Sequence, residues 1–248
     1  FQRNKAWANN LSLYQADIHK ASKSARANYN LGTELSEVAK TSRLSKEKRK
    51  LLQKAANHLQ KAIQIYPDYL DAYNNLGIVY KLLGNYKKAI QVYLANIKND
   101  PEYSKNYYNL ATAYRETKQY QKAIQSMQEY LNRNPNQVNA YLFMGKMAGE
   151  LKDFEQAIVY LKKGIQLAPN KIDILNYLGM AHGMLSQHQK AETYFQKAIR
   201  LNPNQSSLLM NLAMSYGQQG KLELEQQILK KVLEIDPTDQ TAKNRLQL

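Results

Sequence analysis

The chain has no cysteine, one tryptophan and four phenylalanines in 248 residues. Without cysteine there are no disulfides, no thiolate metal sites and no cysteine nucleophile, and the compartment stays open. No run of 18 or more apolar residues occurs, so no segment reads as a membrane span. Acidic residues are scarce. Twenty Asp and Glu face 35 Lys and Arg, a net charge of +15 that favours acidic proteins, nucleic acid or anionic membrane surfaces as partners. Gly-rich phosphate loops, nucleophile elbows and paired carboxylates are missing. The histidines, His19, His58, His182 and His188, lack the i, i+4 partner of a helical metal site and read as structural. The expectation is a non-enzymatic protein with no cofactor and no metal. No signal peptide is legible and the sequence opens on Phe1, which reads as a piece of a longer protein.

Proline is also sparse, and its placement is informative. The six prolines are Pro67, Pro101, Pro135, Pro169, Pro203 and Pro237, one every 34 residues. A helix breaker at one fixed interval marks a repeated unit. Other residues keep the same register. Counting Leu70 as position 1, Tyr73, Leu76, Gly77, Tyr80, Ala89, Tyr93 and Pro101 recur in the next unit as Tyr107, Leu110, Ala111, Tyr114, Ala123, Met127 and Pro135. Glycine or alanine at position 8 lets two helices approach, and large residues at positions 4, 7, 11 and 24 fill the space between them. Many of the 19 tyrosines, including Tyr73, Tyr80, Tyr93, Tyr107 and Tyr114, thus fall on packing positions. Gly84 and Gly220 suit helix C-caps at the mid-repeat turn.

The N-terminal part departs from this register. Residues 1–22 read as the second helix of a partial repeat, with Trp7, Leu11, Tyr14 and Ile18 on one face and Ser22 where a proline is due. The next repeat, 25–67, carries an 11-residue insertion around Lys40 to Lys50, whose KTSRLSKEKRK sequence is strongly basic. Its cations are Lys40, Arg43, Lys46, Lys48, Arg49 and Lys50, and Thr41, Ser42 and Ser45 are turn or cap candidates. Both helices of this repeat should project one or two turns beyond their neighbours. Regular repeats follow at 70–101, 104–135, 138–169, 172–203 and 206–237, with a closing helix over 238–248, all in a single array.

The pattern resembles the tetratricopeptide repeat: a large residue, two positions, Leu-Gly, two positions, Tyr, then Ala, Phe and Pro. The resemblance covers almost the whole chain. It implies an all-α superhelix, a right-handed solenoid of antiparallel helix pairs, whose first helices line a concave partner-binding groove. The groove positions offer Tyr29, Asn30, Asn74, Asn75, Lys81, Lys105, Tyr108, Asn109, Arg115, Phe143, Lys146, Tyr177, Met180 and Asn211. Asn30, Asn75, Asn109 and Asn211 share position 6, where an amide could pair with a peptide backbone or merely suit the repeat. Met180, Met184, Met210 and Met214 offer an adaptable apolar surface or a partly buried groove wall. No three consecutive repeats supply the Lys, Asn and Arg set with which one form of this fold grips a C-terminal carboxylate. Groove aromatics do not recur one per repeat, which disfavours base-by-base reading of nucleic acid.

A shorter resemblance covers RNKAW, LSLYQADI and SKSARANYNLG, between Arg3 and Gly32. These segments look like the junction that precedes the repeats of bacterial membrane-embedded O-mannosyltransferase-like proteins. This resemblance implies a membrane-associated, extracytoplasmic domain, with a cytoplasmic placement as the alternative. The leading expectation is an interaction domain that binds a protein or peptide in the groove, as a monomer or weak homo-oligomer. A scaffold working through repeat edges, or an anionic surface met by the basic insertion, are the alternatives.

Overall fold

The computed structural model describes residues 10–246; Trp7 and the rest of 1–9, and the last two residues of the closing segment, lie outside them. Among the described residues all regular structure is helical, in fourteen helices. The chain divides into two compact units, 1–134 and 135–248. The division falls between Asn134 and Pro135, at a repeat boundary.

The first unit holds α1 (Asn10–Lys20) and three helix pairs, α2 (Ala25–Thr41) with α3 (Ser45–Ile65), α4 (Leu70–Leu82) with α5 (Tyr86–Asn99), and α6 (Lys105–Glu116) with α7 (Tyr120–Arg133). The second holds α8 (Val138–Glu150) with α9 (Phe154–Leu167), α10 (Ile172–Met184) with α11 (His188–Leu201), α12 (Ser206–Gln218) with α13 (Leu222–Ile235), and the closing α14 (Gln240–Leu246). Within each unit the second helix of a pair also packs on the first helix of the next.

The register residues explain the pairing. Leu59, Tyr93, Met127, Leu161, Phe195 and Leu229, one every 34 residues, are all buried on second helices. Opposite them stand small residues. A Cβ on Gly77 would collide with the Tyr93 ring, one on Gly179 would come within 2.5 Å of Phe195, and one on Gly145 within 2.6 Å of Leu161. Close helix approach therefore depends on the missing side chain. Each second helix ends two residues before a proline. The residues between, from Tyr66 to Asp236, leave the helical region, with ψ of 95° at Tyr66 and 89° at Asp236, because the proline ring disfavours helical backbone in the residue before it.

The mid-repeat turn needs a left-handed residue. Gly84 and Gly220 meet that need at φ of 74° and 71°, whereas Lys118, Lys152 and Ser186 adopt φ of 57°, 61° and 57° at the equivalent places. A side chain in that region costs about 1 kcal/mol, so three of the five regular turns carry backbone strain.

The insertion enters the helices. α2 has 17 residues and α3 has 21, against 13 in α4 and 14 in α5. The extra length is about one turn in α2 and about two in α3, so this hairpin projects past its neighbour α4–α5. α3 starts at Ser45, within the insertion, because SKEKRK is rich in helix formers. The cap candidates act differently from a simple N-cap. Ser42 is the α2 C-cap and its hydroxyl donates to Glu47 at 3.2 Å, while the α3 N-cap is Leu44, without a side-chain cap bond. Thr41 donates to the Val38 carbonyl at 2.9 Å.

Candidate partner-binding site

In the first unit the groove positions of α2, α4 and α6 are knitted to one another. The Asn109 amide donates to Asn74 at 2.8 Å, Asn74 donates to Asn75 at 3.2 Å, and Asn75 donates to Thr33 at 3.0 Å and Tyr29 at 3.4 Å. Three of these bonds cross between successive first helices, and the Asn74–Asn75 bond links them within α4. These amides align the repeats, and Asn74 is buried. Asn30 is half-buried beside them. Tyr29 also lies against the Tyr69 ring, centroids 4.7 Å apart.

Cations border this ladder. Lys81 donates to the Thr112 hydroxyl at 2.5 Å, and Thr112 donates to the Asn109 carbonyl at 2.8 Å. Burial first, then the neighbouring Arg115, push the Lys81 ammonium below its ordinary pKa, against a smaller opposing effect of Glu116. Arg115 lies beside Glu116, its Nε at 3.0 Å. Lys105 is exposed and sits over the Tyr103 ring at 5.7 Å, and the Tyr103 hydroxyl donates to Asp71 at 2.5 Å. Tyr108 is exposed, edge-on to Tyr130. This surface is polar and partly cationic.

The second unit differs. Phe143 is buried. Lys146 stands over the half-buried Tyr177 ring at 4.6 Å. The amide of Asn211 donates to Asn176 at 2.8 Å, repeating the Asn109–Asn74 bond one unit on. Beyond it a pocket of about 140 Å³ opens between α10 and α12. The buried Phe195 ring and Gly179 lie at its base. Met180, Met184 and Met214 form its walls and are 42%, 62% and 40% exposed. Asn211, Ser215 and Gln218 add polar groups. The space exists because of Gly183. A Cβ there would meet only the Ala191 methyl, at an ordinary 3.9 Å.

The sequence pointed to Met180 and Asn211, and the structure brings them together in this pocket. It did not point to Gly183, Phe195 or Ser215. The signal was present: position 12 holds Ser36, Lys81 and Arg115 in the first unit but Gly149, Gly183 and Gly217 in the second.

The basic insertion residues lie on the α2–α3 tip. Lys40, Arg43, Lys46, Arg49 and Lys50 are exposed and Lys48 is half-buried. Lys40 pairs with Glu37 at 2.6 Å. Two histidines sit in packed surroundings. His58 Nδ1 lies 3.1 Å from the Asn28 carbonyl oxygen and His182 Nδ1 2.7 Å from that of Gln187, and burial lowers the pKa of both. Among the described residues no three His, Asp or Glu gather as a metal site, and no helix is long and apolar enough to cross a membrane.

Models of the family described as tetratricopeptide repeat match residues 58–91, 172–205 and 194–227. The chain is a tetratricopeptide repeat protein. A model described as anaphase-promoting complex, cyclosome, subunit 3 matches residues 83–164. Among solved structures, the repeat protein is similar to YrrB, described as a tetratricopeptide repeat protein with an unusual peptide-binding site. The two share 19% identity over 78% of this chain and 100% of that one, with a TM-score of 0.67. It is also similar to MamA from Desulfovibrio magneticus RS-1, at 21% identity, 72% and 97% coverage and a TM-score of 0.61. The C-terminal part of a repeat-containing protein from Cytophaga hutchinsonii gives 20% identity, 78% coverage of each chain and a TM-score of 0.68. At these identities the likeness shows the superhelical fold alone. No curated protein matches the chain. Neither these models nor these structures include an O-mannosyltransferase-like protein, so that resemblance rests on Arg3 to Gly32 alone. Tetratricopeptide repeats are generally non-catalytic modules of protein interaction and scaffolding.

Proposed function

We propose that this tetratricopeptide repeat protein is a non-catalytic module that binds an extended or helical partner segment through its first helices. The observation that carries the reading is the methionine pocket between α10 and α12. Its volume of about 140 Å³ suits one leucine, methionine or phenylalanine side chain, and its thioether walls can adapt to the one that enters. Asn211, Ser215 and Gln218 lie where they could pair with the segment's backbone. In the first unit, Lys81 and Lys105 favour an acidic residue in the partner, in keeping with the net charge of +15. The peptide-binding description of YrrB supports this reading. The junction-like segment before the repeats adds a placement: beside an upstream membrane glycosyltransferase-like region, outside the cytoplasm.

The test is peptide selection on the intact chain, followed by titration of the selected peptide against Gly183→Leu. The leucine's Cβ meets nothing closer than the Ala191 methyl at 3.9 Å, its side chain occupies the pocket, and affinity should fall at least tenfold. Unchanged affinity would remove the pocket from the reading. A Tyr108→Ala, Asn109→Ala, Arg115→Ala variant asks the same of the first unit. Sedimentation across a concentration series separates the alternative, a scaffold in which repeat edges join copies.

A further inference from the structure

The α2–α3 tip carries a feature that a partner groove does not need. Leu44 ends the 42–44 loop as the N-cap of α3 and is 67% exposed, more than any other large apolar residue described. Arg43 precedes it, and Lys46, Lys50 and Lys54 follow along α3 at successive turns. Leu44, Leu51 and these three lysines line one open depression, together with Ser45 and Glu47. Between Lys40 and Lys54 seven cations face one acid, Glu47. Of the seven, only Lys40 has an ion pair within 4.0 Å among the described residues. The insertion has thus added helix length, lifted this cluster past the neighbouring pair, and placed an aliphatic side chain at its end.

We propose that this tip docks on an anionic phospholipid bilayer, with Leu44 entering the headgroup–acyl boundary and Arg43, Lys46, Lys50 and Lys54 meeting lipid phosphates and carboxylates. A water-exposed leucine ringed by cations matches a surface that is negative outside and apolar just beneath. Nucleic acid has the charge but lacks the apolar layer. Single-strand binding uses aromatic platforms, and the chain has no Phe, Tyr or Trp between Tyr29 and Tyr66. The proposal is independent of the peptide pocket, which lies in the other unit.

The test is co-sedimentation of the full chain with phosphatidylcholine vesicles, with and without about one-third phosphatidylserine, alongside binding to poly(U) RNA. The protein should pellet with the phosphatidylserine vesicles only, and release as salt rises. Neutralising Lys46, Lys50 and Lys54 to Gln should weaken binding about fivefold per cation. Leu44→Ser keeps every charge and should still weaken it about fivefold or more. Both variants change exposed positions, and their thermal midpoints should match the wild type. The proposal is overturned by no pelleting with phosphatidylserine vesicles. Either variant pelleting like the wild type also overturns it, as does RNA binding tighter than vesicle binding and insensitive to Leu44→Ser, which would assign the tip to nucleic acid.

Discussion

The two units are built on one 34-residue register and present different surfaces. In the first, Tyr29 and Thr33 of α2, Asn74 and Asn75 of α4 and Asn109 of α6 are bonded into a ladder, with Lys81 and Arg115 at position 12 of α4 and α6. In the second, position 12 is glycine in all three first helices, and position 9 is Lys146, Met180 and Met214. The packing positions hardly vary, because Gly77 against Tyr93 and Gly179 against Phe195 solve the same steric problem. At position 12 an added Cβ has room at Gly149 and Gly183, whereas at Gly217 it would collide with Glu225. Gly183, where α4 and α6 carry Lys81 and Arg115, lines a side-chain-sized pocket.

The largest effect should come from the end of the second unit. Glu225 replaces the alanine found at that place in the other regular repeats, and is buried. Gly217 leaves room for it, and Arg245 of α14 pairs with it, Nε to Oε1 at 2.7 Å. Arg245→Ala should cost about 2–3 kcal/mol by stranding a buried acid, discounted because the arginine is partly exposed. Hydrogen exchange should show the loss in α12–α14 and leave α2–α7 unchanged.

Next comes the ladder. Asn109→Ala should destabilise the first unit by about 1–2 kcal/mol, since it strands the buried Asn74 carbonyl oxygen. Asn211→Ala should cost less, because Asn176 is only half-buried. Absent losses in denaturant titration would mean that the amides do not hold the repeats together, and equal losses that the burial of Asn74 does not set the difference. A smaller effect of opposite sign is expected at the turns. Lys118→Gly in the first unit and Lys152→Gly in the second should each stabilise by about 0.5–1 kcal/mol, by relieving left-handed backbone.

The smallest change is Tyr93→Phe. The Tyr93 hydroxyl is buried without a hydrogen-bond partner, and burial raises its pKa. Phe195 occupies the same register position in the second unit. Removing the hydroxyl should be neutral or raise stability by up to about 1 kcal/mol, measured as a rise in thermal midpoint.

The prolines, the Leu-Gly pairs and the insertion length made the helical repeats and the longer first pair legible in the sequence, because each is a local backbone or steric requirement. The division at Asn134–Pro135 was not legible, since the register runs through it unbroken. Nor was the work of the asparagines. Position 6 showed an amide, but only the structure shows that its partner is position 5 of the preceding first helix. In the sequence Glu225 is only an exception to the alanine register. Its reason lies in Gly217 and Arg245, residues 8 and 20 positions away. Leu44 read as one apolar residue in a basic stretch until its exposure was known.

The central claim is that the methionine pocket of the second unit receives a partner's apolar side chain. It is tested most directly by methyl NMR of the chain labelled at methionine, titrated with a selected peptide. The pocket residues Met180, Met184 and Met214 should shift together and saturate at one affinity, while the buried Met127 and Met144 stay in place. Binding that leaves those three methyls unmoved would contradict the account.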